Sequence, residues 1–254
     1  MRNFVLLAFI FFSANSSMAQ DKGLLSFEIG YGKQQVSMAT FNQYYLDSIA
    51  KPIGLFNENI KQLNVPFIAI RYQPSNYFDI GVFGMFCWSE IKGNPDFSAT
   101  DESGKIVSVH AGKSLLQTRT LGYGISSNFH LNYLFKFYEN SNNFLKRTKL
   151  LTEFNLGYGH NSVNMHFFYT GLMPSSSDAH FGMQGLFGSA FIKVEYQYLK
   201  TDFSSAIGVK FGFLWSENGV LKDPFGNEYI LGNGKKIDMN VSGISAGLYL
   251  KLGK

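Results

Sequence analysis

Seven ionisable side chains fall on the inward-reading rows of alternating segments: Glu28, Arg71, Asp79, Glu153, Lys193, Glu195 and Lys210. Four are acids and three are bases, close to balance. A charge buried without a partner is costly, so charges that share an enclosed space must pair. The pattern predicts an internal ion-pair network that fills the space and passes little or no solute. A second cluster, His160-Asn161-Ser162, places an imidazole two residues from a hydroxyl, with Glu153 the nearest inward acid. Histidine, hydroxyl and acid together are the set that hydrolyses esters by nucleophilic attack. Spacing of this kind is common and nothing else of such a site accompanies it. No catalytic residue is therefore assigned, and the chain reads as a non-enzyme.

Metal and nucleotide chemistry find no footing. Asp96, Asp101 and Glu102 share a loop but miss the calcium-loop spacing. His110, His130, His166 and His180 lack metal-ligand spacing. Gly30-Tyr31-Gly32 and Gly232-Asn233-Gly234 do not open a helix, so neither is a phosphate loop. The single cysteine, Cys87, forms no internal disulfide and reads as a small inward side chain. No cofactor and no metal are expected.

The elements that must position the charges are strands. Period-two alternation recurs in eight segments: Leu24–Lys33, Asn64–Gln73, Tyr77–Trp88, Ser114–Tyr133, Lys149–Gly159, Phe181–Leu199, Phe203–Trp215 and Ile237–Leu252. Each carries one apolar row, such as Leu25, Phe27, Ile29 and Tyr31, or Ile207, Val209, Phe211, Phe213 and Trp215. The opposite rows are small, polar or charged and rich in glycine at strand centres, as in Gly122-x-Gly124 and Gly208-x-Lys210-x-Gly212. Glycine weakens a strand and gains nothing on a wet face. It suits the narrow interior of an eight-stranded barrel. The apolar rows then face outward, uncharged over about nine residues, the length of a tilted membrane strand.

Aromatics close the rows. Trp88 and Trp215 stand just before long loops; Tyr72, Tyr133, Tyr196 and Tyr198 stand near the other end. Two girdles at opposite heights fit the aromatic belts of a membrane barrel. The links alternate between short turns, such as Pro74-Ser75-Asn76 and Lys200-Thr201-Asp202, and long loops. Within the loops, Thr40–Ile49 predicts a short helix with Phe41, Tyr44 and Tyr45 on one side. Asp223-Pro224-Phe225-Gly226 and, more weakly, Asp101–Gly104 predict hairpin tips. Glu139–Asn143 reads as the tip of a longer turn.

Composition agrees. Charged residues are 16% of the chain, well below the roughly 25% of an average soluble domain, and aromatics are 17%. Arg2, the apolar run Val5–Phe12 and Ser17-Met18-Ala19 predict a signal peptide over residues 1–19, cleaved after Ala19. The net charge of +4, or +3 once Arg2 is lost, gives no case for nucleic acid.

The leader, the eight segments and pieces such as Glu153-Phe154-Asn155-Leu156-Gly157-Tyr158-Gly159 resemble the small OmpA/OmpX-type outer-membrane β-barrel proteins. The likeness spans nearly the whole of residues 20–254 and is one of architecture. It departs at the C-terminus, where Tyr249-Leu250-Lys251-Leu252-Gly253-Lys254 replaces a final aromatic. The resemblance implies an all-β, antiparallel up-and-down transmembrane β-barrel, with short periplasmic turns and long extracellular loops. Eight strands are expected; ten would follow if His160–His180 held an extra hairpin. The expected role is structural or interactive, as a monomer in outer-membrane lipid, with external loops offered to a protein or surface-glycan partner. The alternatives are a narrow conduit and a lipid-modifying enzyme.

Overall fold

The structure, a computed structural model, describes residues 24–52, 54–100, 106–136, 139, 142–169, 175–200, 204–230 and 234–253. The leader, Asp101, Glu102 and the tip Asp101–Gly104 lie outside the described residues, as do Thr201-Asp202 and Gly232-Asn233. Among the described residues nine strands form: β1 (Leu24–Val36), β2 (Gln62–Gln73), β3 (Phe78–Gly93), β4 (Asp96–Thr100), β5 (Ile106–His130), β6 (Thr148–Tyr169), β7 (Ser175–Lys200), β8 (Ser204–Asn218) and β9 (Gly243–Gly253). All but β4 build the barrel. β3 pairs β5, and β1 pairs both β2 and β9, so the ring of eight antiparallel strands closes on itself. β4 is the short arm of a hairpin folded back on the start of β5.

Register fixes the shape. Stepping from partner to partner, Leu25 leads through Tyr72, Ile80, Ser127, Phe154, Ala190, Phe213 and Ile244 to Gln35, ten residues further along β1. With eight strands, that stagger sets a tilt of about 40° to the barrel axis. The outward row Ile207–Trp215 then rises about 20 Å, near the apolar height of a membrane barrel. Exposed Phe27, Ile70, Val82, Ile125, Leu156, Ile192, Phe211 and Leu248 belong to the same belt. Trp88, Trp215, Tyr72, Tyr196 and Tyr198 sit on the outside. Tyr133 does so from a short helix, α2 (Leu131–Leu134), and not from a strand. β5 ends at His130, and Tyr133 meets Tyr77 at 5.8 Å between ring centroids. A second short helix, α3 (Asn143–Arg147), completes that turn, capped by the Asn142 side chain accepting from Phe144 N.

Three barrel strands run far past the belt. β6 continues to Tyr169 and β7 starts at Ser175, so the expected long fifth-to-sixth link and the alternative extra hairpin are both replaced by two extended strands. The outward apolar row stops near Tyr158, but the pairing does not. Beyond it the faces invert: His160, Ser162, Asn164 and His166 point out, while Val163 and Met165 point in and are buried. The lower half is apolar outside and charged inside; the upper half follows the pattern of a water-soluble protein.

The loops between β1 and β2 and between β8 and β9 fill the upper mouth. Residues Phe41–Ala50 form the helix α1, wound as a π-helix, and bury Phe41, Asn42, Tyr45, Leu46 and Ala50. Tyr44, expected on that face, is only half-buried and lies under the Lys235 ammonium, 4.0 Å from its ring. A wider helical turn moves the repeat from four residues toward five, which selects Leu46 and Ala50 instead. Ile237, Met239 and Val241, expected within the eighth strand, leave the wall and are buried in this cap, so β9 begins at Gly243.

Candidate functional site

The interior at belt height is one connected ion-pair network. Arg71, from β2, donates Nη2 to Glu153 Oε2 at 2.5 Å and lies 3.6 Å from Glu28 and 3.7 Å from Asp79. Lys193 Nζ reaches Glu28 at 2.6 Å, Glu153 at 3.1 Å and Glu195 at 3.9 Å. Lys210 is 3.4 Å from Glu153. All seven residues singled out from alternation therefore meet in one place. Two further members complete it. Lys251 bridges Asp79 and Glu195 at 3.6 Å each, and His130 Nε2 sits 3.2 Å from Asp79. With Lys251 the network holds four acids and four bases, so its formal charge cancels when His130 is neutral. The strand parity that places Tyr249 inward also marks Lys251, and that was the signal for finding it.

Above the charges lies a layer of rings. Lys210 Nζ stands 3.2 Å from the centroid of Phe67 and 4.6 Å from that of Phe191; Lys193 stands 4.2 Å from that of Tyr249. Cations over ring faces gain quadrupole attraction where water is excluded. Inward glycines make space for these rings. A Cβ on Gly30 would run into Phe67, and one on Gly208 into Tyr249. The Tyr249 hydroxyl donates to Glu195 at 3.1 Å, tying the two layers together. The cavity between them measures about 20 Å³, lined by Phe67, Arg71, Phe83, Glu153, Phe191 and Lys210 among others. That is roughly the space of one water.

The cap packs over the network at the upper mouth. Phe56, Ile60, Leu221 and Ile237 pack against Leu116, Val163 and Met165 of the strand extensions. Polar groups inside it pair across the loop: Asn42 Nδ2 donates to Ile60 O at 2.9 Å, Ile60 N donates back to Asn42 Oδ1 at 3.1 Å, and Tyr45 donates to Met165 Sδ at 3.0 Å. From the cap projects the expected hairpin. Asp223 Oδ1 accepts from Phe225 N and Asn227 N, and Gly226 takes a φ of 89° that favours glycine. Hydrogen bonds, led by that from Asn227, hold the Asp223 carboxyl below its ordinary range. A depressed carboxyl supports the turn above its ordinary value and releases it only in stronger acid. At the tip Phe225 is 90% exposed.

His160-Asn161-Ser162, just past the expected end of the fifth segment at Gly159, lies inside β6. His160 and Ser162 face outward, whereas Asn161 and Glu153 face the interior. The wall of the barrel separates the imidazole and hydroxyl from the acid, so the three do not form a relay. Cys87 is fully buried and inward, as expected. Among the described residues, no group of three or more metal-ligating side chains comes together.

The fold and its interior define an eight-stranded transmembrane β-barrel with a charged core and a folded cap. Neither a protein-family model nor a curated protein sequence matches the chain. Among solved structures, it is similar to Ail, the attachment invasion locus protein of Yersinia pestis. Identity is 12% over 92% of this chain and 100% of Ail, with a TM-score of 0.37. A second Ail structure, in complex with the heparin analogue sucrose octasulfate, gives 11% identity, the same coverage and a TM-score of 0.36. The Escherichia coli outer membrane protease OmpT gives 9% identity over 92% of this chain and 95% of OmpT, with a TM-score of 0.30. Nothing of Ail's ligand or OmpT's proteolysis passes to this chain on likenesses so slight.

Proposed function

We propose that the chain is an outer-membrane protein whose barrel is a closed anchor and whose capped outer end is an interaction surface for a protein or surface-glycan partner. The termini and short turns lie on the periplasmic side and the cap lies outside. One observation carries the reading: paired charges and rings share the lumen at belt height, and the cavity between them measures about 20 Å³. A conduit needs a continuous wet path, and the buried cap over the mouth removes a second stretch of it. What remains for function is the outer end, where Phe225 is presented on a hydrogen-bonded turn. An ordered backbone lowers the entropic cost of docking an exposed aromatic.

Two measurements test this. In planar bilayers the purified protein should give no steady channel current; steady large single-channel currents would favour the conduit instead. Bacteria displaying the chain should adhere to a cultured epithelial monolayer. Phe225→Ala should cut that adhesion by about tenfold or more. Its effect on stability should stay within about 0.5 kcal/mol, since the side chain touches little else. Unchanged adhesion would remove the tip from the proposed role.

A further inference from the structure

We infer that the outer wall carries a seat for one phosphate-bearing lipid of the outer leaflet, in a cleft of about 300 Å³ between β3 and β5. The inference rests on the reading of the belt as lying in the outer membrane. The cleft straddles the line where the apolar row gives way to a polar collar. Below that line Phe86 and Trp88 stack at 5.6 Å with 28° between their planes. Above it stand Glu90, Gln117 and Arg119. Register brings these groups side by side: Phe86 pairs Leu121, Trp88 pairs Arg119, and Glu90 pairs Gln117.

Charge decides what fits. Arg119 is exposed, and its Nη2 donates to Gln117 Oε1 at 3.0 Å. Among the described residues it has no carboxylate at ion-pair distance. The nearby acid, Glu90, is engaged elsewhere: it accepts from Gln117 at 3.2 Å and meets Lys92 at 3.3 Å. A guanidinium has five N–H donors in a planar fork, and only one is used here. Two parallel bonds to phosphate oxygens are the natural use of the rest. The floor selects the carrier. Stacked aromatic faces at the top of a lipid-facing belt accept an acyl chain, which free phosphate lacks.

The test uses native mass spectrometry of the refolded full chain, released from detergent micelles after incubation with diphosphoryl lipid A. Wild type should retain one lipid A. Arg119→Gln should retain at least about tenfold less, and Arg119→Lys an intermediate amount, because lysine keeps the charge without the fork. Lys222→Gln serves as control: Lys222 is an exposed cation on the loop between β8 and β9, where its backbone pairs with Gly182 of β7, away from the cleft. It should behave as wild type. The seat is overturned if Arg119→Gln retains as much lipid A, or if Lys222→Gln loses as much. Equal retention of phosphatidylcholine, or displacement of lipid A by inorganic phosphate, overturns it too. Each sample is also run unboiled in SDS. Faster migration than the boiled sample with no lipid bound sinks the seat alone, whereas no shift in wild type sinks the membrane barrel.

Discussion

Glu153→Gln is expected to destabilise the barrel by about 3–5 kcal/mol, the usual consequence of removing one partner from a buried ion pair. Glu153 is the hub of the network. Its two oxygens face Arg71, Lys193 and Lys210, and Asn155 Nδ2 donates to it at 2.8 Å. The amide would leave four cations, Lys251 included, sharing the three remaining acids, Glu28, Asp79 and Glu195, in a space with room for about one water to solvate the excess. The comparison is Glu228→Gln on the surface, where Lys236 lies 2.6 Å away in water. An exposed pair contributes only about 0–1 kcal/mol. Urea unfolding in phosphatidylcholine vesicles reads both. Similar small losses at the two positions would mean that the interior is wet and the network loosely held.

The second large effect tests the faces. Phe211→Arg should cost roughly 2–4 kcal/mol in vesicles, as expected for a cation placed in mid-bilayer. Phe211 lies midway along the outward row of β8 and is 59% exposed. Gln35→Arg, on the same outer surface but above the belt, should cost almost nothing. Were the apolar rows bathed in water, both changes would be tolerated alike. The same unfolding experiment therefore separates a lipid-facing wall from a wet one.

Alternation made the lower half of the molecule legible. Rows such as Ile207–Trp215 and Glu153-x-Asn155-x-Gly157 carry period and polarity together, so strand, face and network followed from one signal. The eight segments, with ten strands left open by His160–His180, and the seven inward charges came from it. Lys251 escapes a reading that follows only the outward row, Leu248 and Leu250, in the last strand. His130 carries no ionic signal in the sequence, because its Asp79 partner lies 51 positions away. The upper half was less legible for a physical reason. Once a strand leaves lipid, its apolar side turns inward, so Val163 and Met165 carry the same period with opposite meaning. A rule that ends a strand where the outward apolar row ends must cut β6 and β7 short. The cap was hidden for another reason: Phe41, Ile60, Leu221 and Met239 come from two separate loops, and no local pattern in either reports that they share a core.

The loops that form the cap are those beside the first and last strands. β1 and β9 meet along eleven paired positions, from Ser26 opposite Gly253 to Val36 opposite Gly243. Above that junction Gln34 Nε2 donates to Val241 O at 2.6 Å, across 207 residues of sequence, and the Thr40 hydroxyl donates to the Asp238 carboxylate at 2.5 Å. Parting the wall at this seam would mean tearing the cap as well, exposing Phe41, Met239 and their neighbours to water. Closure of the ring and burial of the cap are thus one cooperative event. A wall fastened in this way resists lateral opening where a barrel assembled from a single chain would otherwise be easiest to unzip.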